Sequence, residues 1–185
     1  MDYILQVEKL ISYLKLNFDF TSSYKIEIFK NKFNQDLNLI GCFIKDFLIL
    51  KTNNYEIADN DIYNSFVLYF DENLDSKEKI LQELNEYGDY YLMIAFEEIE
   101  NIELLNEITT INSCFNLECY PLIMKILKKY FNSLIDNKTT LKMLQSLVNI
   151  VLFNFDNNDN KINISDIYLG EDDIYLNDKL ERIAI

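Results

Sequence analysis

The chain has 185 residues, with 31 acids, 17 bases and no histidine. Lack of histidine excludes a His-dependent triad, a phosphohistidine relay and most zinc hydrolase sites. Three isolated glycines, Gly41, Gly88 and Gly170, exclude a P-loop and a G-x-G-x-x-G turn, and the formal charge of −14 disfavours nucleic acid and anionic membrane as direct partners.

Along the chain, Ile4, Val7, Ile11 and Leu14 recur at helical spacing, with Leu10 beside them, and predict an amphipathic helix over residues 2–16. Thr21, Ser22 and Ser23 read as its break. From Tyr24 the pattern changes to period two: Ile26 and Ile28 alternate with Lys25 and Glu27, and the runs 37–44 and 47–50 are rich in Ile, Leu and Phe. These segments, with Ser65 to Phe70, read as strands of an antiparallel meander. A helix is expected over 76–87, opened by a capping box of Asp75 and Glu78 and closed by Gly88, and Tyr90 to Phe96 reads as a strand buried on both faces. Helices follow over 97–109, from about Pro121, and over 140–153. In the second of these Leu122, Ile123, Ile126, Leu127, Tyr130, Phe131 and Leu134 make the apolar side and Lys125, Lys128 and Lys129 the wet one. The fold class expected is α+β: a mostly antiparallel sheet over residues 24–96, packed against an N-terminal helix and a helical region over 97–153.

Apolar residues make up 49% of the chain, including 13 Phe and 13 Tyr, which predicts a globular chain. A single domain over 1–185 is expected, with 154–185 as a peripheral extension and Asn/Asp-rich loops at 52–61 and 154–160 as the candidate boundaries. The abundance of Asn, Ile, Lys and Tyr reads as an AT-biased coding sequence; it leaves the excess of acids unexplained. Cys42, Cys114 and Cys119 are odd in number and form no C-x-x-C pair, which predicts reduced thiols. No apolar run reaches the length of a membrane span and no basic leader precedes one, so a cytoplasmic protein is expected.

The charge is uneven: residues 1–58 are neutral, 59–119 carry −13, 120–154 carry +4 and 155–185 carry −5. Within the acidic stretch Glu100, Glu103 and Glu107 fall within about 60° of one another on a helix, opposed by Leu104, Leu105 and Ile108. They are the candidate partner-binding residues, assisted by Glu83 and Glu86. Pairs such as Asp71 with Asp75 or Asp59 with Asp61 carry no specific signal in so acidic a chain. The segment from Phe155 to Asp166 sets Asn157, Asp159, Asn163 and Asp166 at its third, fifth, ninth and twelfth positions, with Asn160 at a turn and Lys161 at the seventh able to offer its carbonyl. That spacing resembles an EF-hand or dockerin-type calcium loop, which implies ligation by those four side chains; Phe155 departs from the acid expected at its first position. Asp172, Asp173 and Asp178, interleaved with apolar residues, read as a final edge strand or tail.

Taken together, these features predict a non-enzymatic acidic binding protein without a cofactor. Its partner would be a basic protein, or the nucleic-acid-binding groove of a protein complex, masked as immunity proteins and phage-type inhibitors mask theirs; a homodimer is compatible. An acidic chaperone or assembly subunit is the alternative, and a carboxylate-dependent metalloenzyme a third reading.

Overall fold

The structure is a computed structural model that describes residues 3–17, 20–73, 77–114 and 117–156. Eight α-helices account for most of these residues, and none of them is in a strand. In chain order they are α1 Tyr3–Asn17, α2 Phe20–Lys32, α3 Leu37–Thr52, α4 Ile62–Glu72, α5 Lys77–Ala95, α6 Ile102–Ser113, α7 Tyr120–Phe131 and α8 Asn137–Asp156. The expected antiparallel sheet is therefore absent, and the fold is all-α rather than α+β.

Burial shows why the strand pattern fails. A strand over 65–70 would put Phe66, Leu68 and Phe70 on one face. In α4 Ile62, Phe66 and Phe70 are fully buried, one turn apart, while Leu68 is 62% exposed. Likewise Ile26 and Ile28 do not share a face: Ile26 and Phe29 of α2 are buried, as is Phe33 just after it, and Ile28 is 39% exposed. The segments read as strands over 37–44 and 47–50 are one helix, α3, whose Ile40, Phe43, Ile44, Phe47 and Leu48 are buried at three- and four-residue spacing. Tyr90 to Phe96 continues α5 to Ala95, with Leu84, Tyr87, Tyr91 and Ile94 in its stripe. Thr21 to Ser23 do not break a helix but lie within α2, and Gly88 is interior to α5 rather than its cap.

The chain divides into two compact units, Met1–Asp89 and Tyr90–Ile185. In the first, α1 to α4 and the body of α5 enclose an aromatic core. Phe29, Phe33 and Phe43 meet with ring centroids 5.0–5.6 Å apart, and Phe47 lies 6.0 Å from Tyr87. Both glycines of this unit mark close approaches. A Cβ on Gly41 would collide with Tyr3 Oη and lie 2.8 Å from Val7 Cγ2, and one on Gly88 would lie 3.3 Å from Phe33 Cε2. α3 begins at Asp36, whose Oδ1 accepts from the backbone N–H groups of Asn38 (2.9 Å) and Leu39 (3.2 Å), an N-cap.

In the second unit the end of α5 joins α6, α7 and α8. Leu104, Ile108 and Ile111 of α6, Leu122, Ile123, Ile126 and Leu127 of α7, and Met143, Leu144, Leu147 and Val151 of α8 form its core. Its loops are fixed by side chains. The Asn112 amide donates to the Ile94 carbonyl (2.9 Å) and to Glu97 Oε1 (3.2 Å), and accepts from the Tyr120 hydroxyl (3.1 Å). Thr109 donates to the other oxygen of Glu97 at 2.9 Å.

Helix ends are turned without glycine. Asn34, Gln35, Asn53, Glu97 and Ser133 all hold positive φ between 51° and 58°. After α7, Leu134 N–H bonds the Lys129 carbonyl and Ser133 N–H the Tyr130 carbonyl, a Schellman closure with Ser133 in the left-handed position.

Candidate protein-binding surface

The sequence places Glu100, Glu103 and Glu107 on one helix over 97–109; the structure starts that helix five residues later. Asn101 is the reason, since its Oδ1 accepts from the N–H groups of Glu103 (3.1 Å) and Leu104 (3.3 Å) and caps α6. Glu100 thus precedes the cap and is exposed, Glu103 lies exposed in the first turn, and Glu107 is half-buried one turn further on.

Neighbouring amides of α8 hold two of the three. Asn137 Nδ2 donates to Glu103 Oε2 at 3.2 Å while its Oδ1 accepts from Asn101 Nδ2 at 2.8 Å, and Gln145 Nε2 donates to Glu107 Oε1 at 3.2 Å. These pairings advance together along both helices, so α6 and α8 run in the same direction at this edge. Sequence reasoning missed Asn101, Asn137 and Gln145. An Asn just before the apolar period of Leu104, Ile108 and Ile111 is a cap signal that finds the first.

No ion pair among the described residues involves Glu97, Glu98, Glu100, Glu103 or Glu107. From Phe96 to Glu118 the chain has six acids and neither lysine nor arginine. The segment thus carries no base of its own, and among the described residues the exposed Lys138 and Lys142 of the adjacent α8 form no ion pair with it.

Glu83 and Glu86 belong to the first unit, and the structure gives Glu83 a different setting. It pairs with Lys51 at 2.8 Å, both side chains largely buried, and the Lys51 ammonium also lies 5.6 Å from the Phe47 ring centroid and 5.2 Å from that of Tyr87. Glu86 is half-buried. The carboxylates weighed for chemistry are likewise engaged: Asp59 pairs with Lys45 at 2.7 Å, Asp61 accepts from Asn64 at 2.8 Å, and Asp71 accepts from the Tyr13 hydroxyl at 2.6 Å. Burial, and then that bond, push the Tyr13 phenol up to about 12. Among the described residues no three Cys, Asp or Glu side chains gather as a metal site. Asp75, the calcium-loop residues Asn157, Asp159, Asn163 and Asp166, and Asp172, Asp173 and Asp178 lie outside the described residues.

The lysines of α7 are not all on a wet face. Lys129 is buried, and burial together with the neighbouring Lys125 pushes its ammonium down to about 8. Cys42, Cys114 and Cys119 are all free thiols. Cys119 is fully buried, and its thiol is pushed up to about 12, which leaves it unreactive. No helix among the described residues is long and apolar enough to cross a membrane.

No protein-family model matches the chain, and neither a curated protein nor a solved structure matches it.

Proposed function

We propose that the chain is a non-enzymatic acidic binding protein that masks a cationic surface of a partner protein through the α6 edge of its second unit. One observation carries the reading: the carboxylates of Glu103 and Glu107 are held by Asn137 and Gln145, which are neutral. An amide fixes a carboxylate in place without cancelling its charge, whereas an ammonium does both. A helix N-terminus accounts for an acid at Glu103, because it favours negative charge; that field fades beyond the first turn and gives Glu107 little support. A fixed, unneutralised row of carboxylates suits steering toward a basic partner, and its salt dependence follows from screening. Immunity proteins and inhibitors of nucleic-acid-handling complexes work in this way. Three free thiols suit a reducing compartment, so the reading places the protein in the cytoplasm.

The test is affinity capture from the native host's lysate at about 0.05 M and about 0.5 M salt, either side of physiological screening. Wild type and the E100K/E103K/E107K variant are compared. The expected result is a basic protein held at low salt, released at high salt and not captured by the folded triple variant. Equal capture by the triple variant overturns the reading, and salt-resistant capture of an unfolded client replaces it with the chaperone alternative.

A further inference from the structure

The acidic edge adjoins exposed apolar side chains at one end of the second unit. Ile102, the first residue of α6, is 63% exposed, and Leu134, in the turn before α8, is 69% exposed. The Asn101–Asn137 bond of 2.8 Å ties the starts of α6 and α8 together, so both stand at the same end. Leu134 is the last residue of the Schellman closure after α7, a position whose apolar side chain usually folds back on its helix; here it faces water. Three residues earlier Phe131 lies flat on Tyr90, planes 3° apart and centroids at 5.7 Å, with 46% of its surface exposed. Glu98, Glu100 and Glu103 are exposed beside Ile102 in sequence.

Resting on the acidic-binding reading, we propose that this end docks a cationic amphipathic segment of the partner, its aliphatic side chains on Ile102, Leu134 and Phe131 and its lysines or arginines on Glu98, Glu100 and Glu103. Charge complementarity selects this occupant. A second copy would set one acidic rim against another, and residues 157–185 of the chain, with seven acids and three bases, share the sign of the rim. A purely polycationic partner would leave the apolar residues in water. Division of labour follows: the carboxylates set encounter rate and salt dependence, and the apolar contact sets residence time.

Two labelled peptides of about 18 residues, five helical turns long, test the proposal by fluorescence anisotropy. One patterns Leu and Lys on opposite faces of a helix; the other replaces every Leu with Ser at equal charge. Wild type is expected to hold the Leu/Lys peptide at least about tenfold more tightly, as burial of one or two aliphatic side chains provides. The I102S/L134S variant, which alters two exposed positions and no charge, is expected to lose that preference and keep its affinity for the Ser/Lys peptide. E100K/E103K/E107K is expected to weaken both. Equal binding of the two peptides by wild type, or an unchanged preference in I102S/L134S, overturns the proposal. If the triple variant still loses both peptides, the acidic reading stands without it; if the triple variant loses neither, both fall.

Discussion

The phenol of Tyr3 lies across Gly41, with its oxygen in the space that a Cβ on that glycine would need. Its hydroxyl donates toward the Asn38 carbonyl (3.3 Å) and Cys42 Sγ (3.4 Å), so α1 is fastened to α3 over a helical position that has no side chain. Glycine inside a helix is less favourable than alanine by about 1 kcal/mol, yet overpacking a full core costs about 1–3 kcal/mol.

Gly41→Ala is therefore expected to destabilise the fold by about 1–2 kcal/mol, the clash with buried Val7 outweighing the gain in helix propensity. Urea denaturation measures it, and the Tyr3→Ala background should recover about 1 kcal/mol or more of the loss as a coupling energy. A Gly41→Ala variant as stable as wild type would refute the close approach.

Asn112 joins three segments of the second unit through one amide. Asn112→Ala removes one donor from the Ile94 carbonyl, one from Glu97, which sits at φ 56° and keeps its bond from Thr109, and one acceptor from the Tyr120 hydroxyl. A loss of about 2–3 kcal/mol is expected, against about 1 kcal/mol for Tyr120→Phe, which removes one bond of the same network. If chemical denaturation places Asn112→Ala within about 0.5 kcal/mol of wild type, the level of a neutral surface change, the network is not what fixes these loops.

Burial pushes the Asp46 carboxyl of α3 up to about 8, against a smaller opposing pull from Lys45. Asp46 in turn helps to raise the Tyr3 phenol of α1, and it retains part of its surface in solvent. Between its ordinary value near 4 and about 8 the folded chain holds a proton that the unfolded chain has released. Stability contributed by this group is thus complete below pH 4, falls as pH rises through the window and levels off above 8. Asp46→Asn should flatten that fall, matching wild type in acid and exceeding it near pH 9. Parallel melting curves for the two proteins across pH 5 to 9 would contradict the shift.

The parts of the fold legible in the sequence are those where period and residue type agree. α1 and α8 have helical spacing throughout, and the expected ranges 2–16 and 140–153 fall close to Tyr3–Asn17 and within Asn137–Asp156. In α2 to α5 the two signals conflict: Ile, Phe and Tyr raise strand propensity, while the spacing of Phe66 and Phe70, or of Leu84, Tyr87, Tyr91 and Ile94, is helical. A composition rich in those residue types throughout makes propensity the poorer witness, and burial follows period. Even the apolar side assigned to α7 errs at its end, where Phe131 and Leu134 are exposed and Lys129 is buried. The shared face of Glu103 and Glu107 was legible because helical spacing is local. Their partners Asn137 and Gln145 lie 34 and 38 residues away, at a distance no periodicity reaches.

The glycine-free helix ends leave the protein with room to gain. Each left-handed non-glycine residue carries backbone strain of about 1 kcal/mol, and at Ser133, exposed, no side-chain hydrogen bond accompanies the conformation among the described contacts. Thermal tolerance is thereby a property the chain can acquire in single steps at its turns, and at Asn34, Gln35 and Asn53 without touching the acidic edge. Surface change on α6 is then limited by what a partner accepts, and less by what the fold can bear.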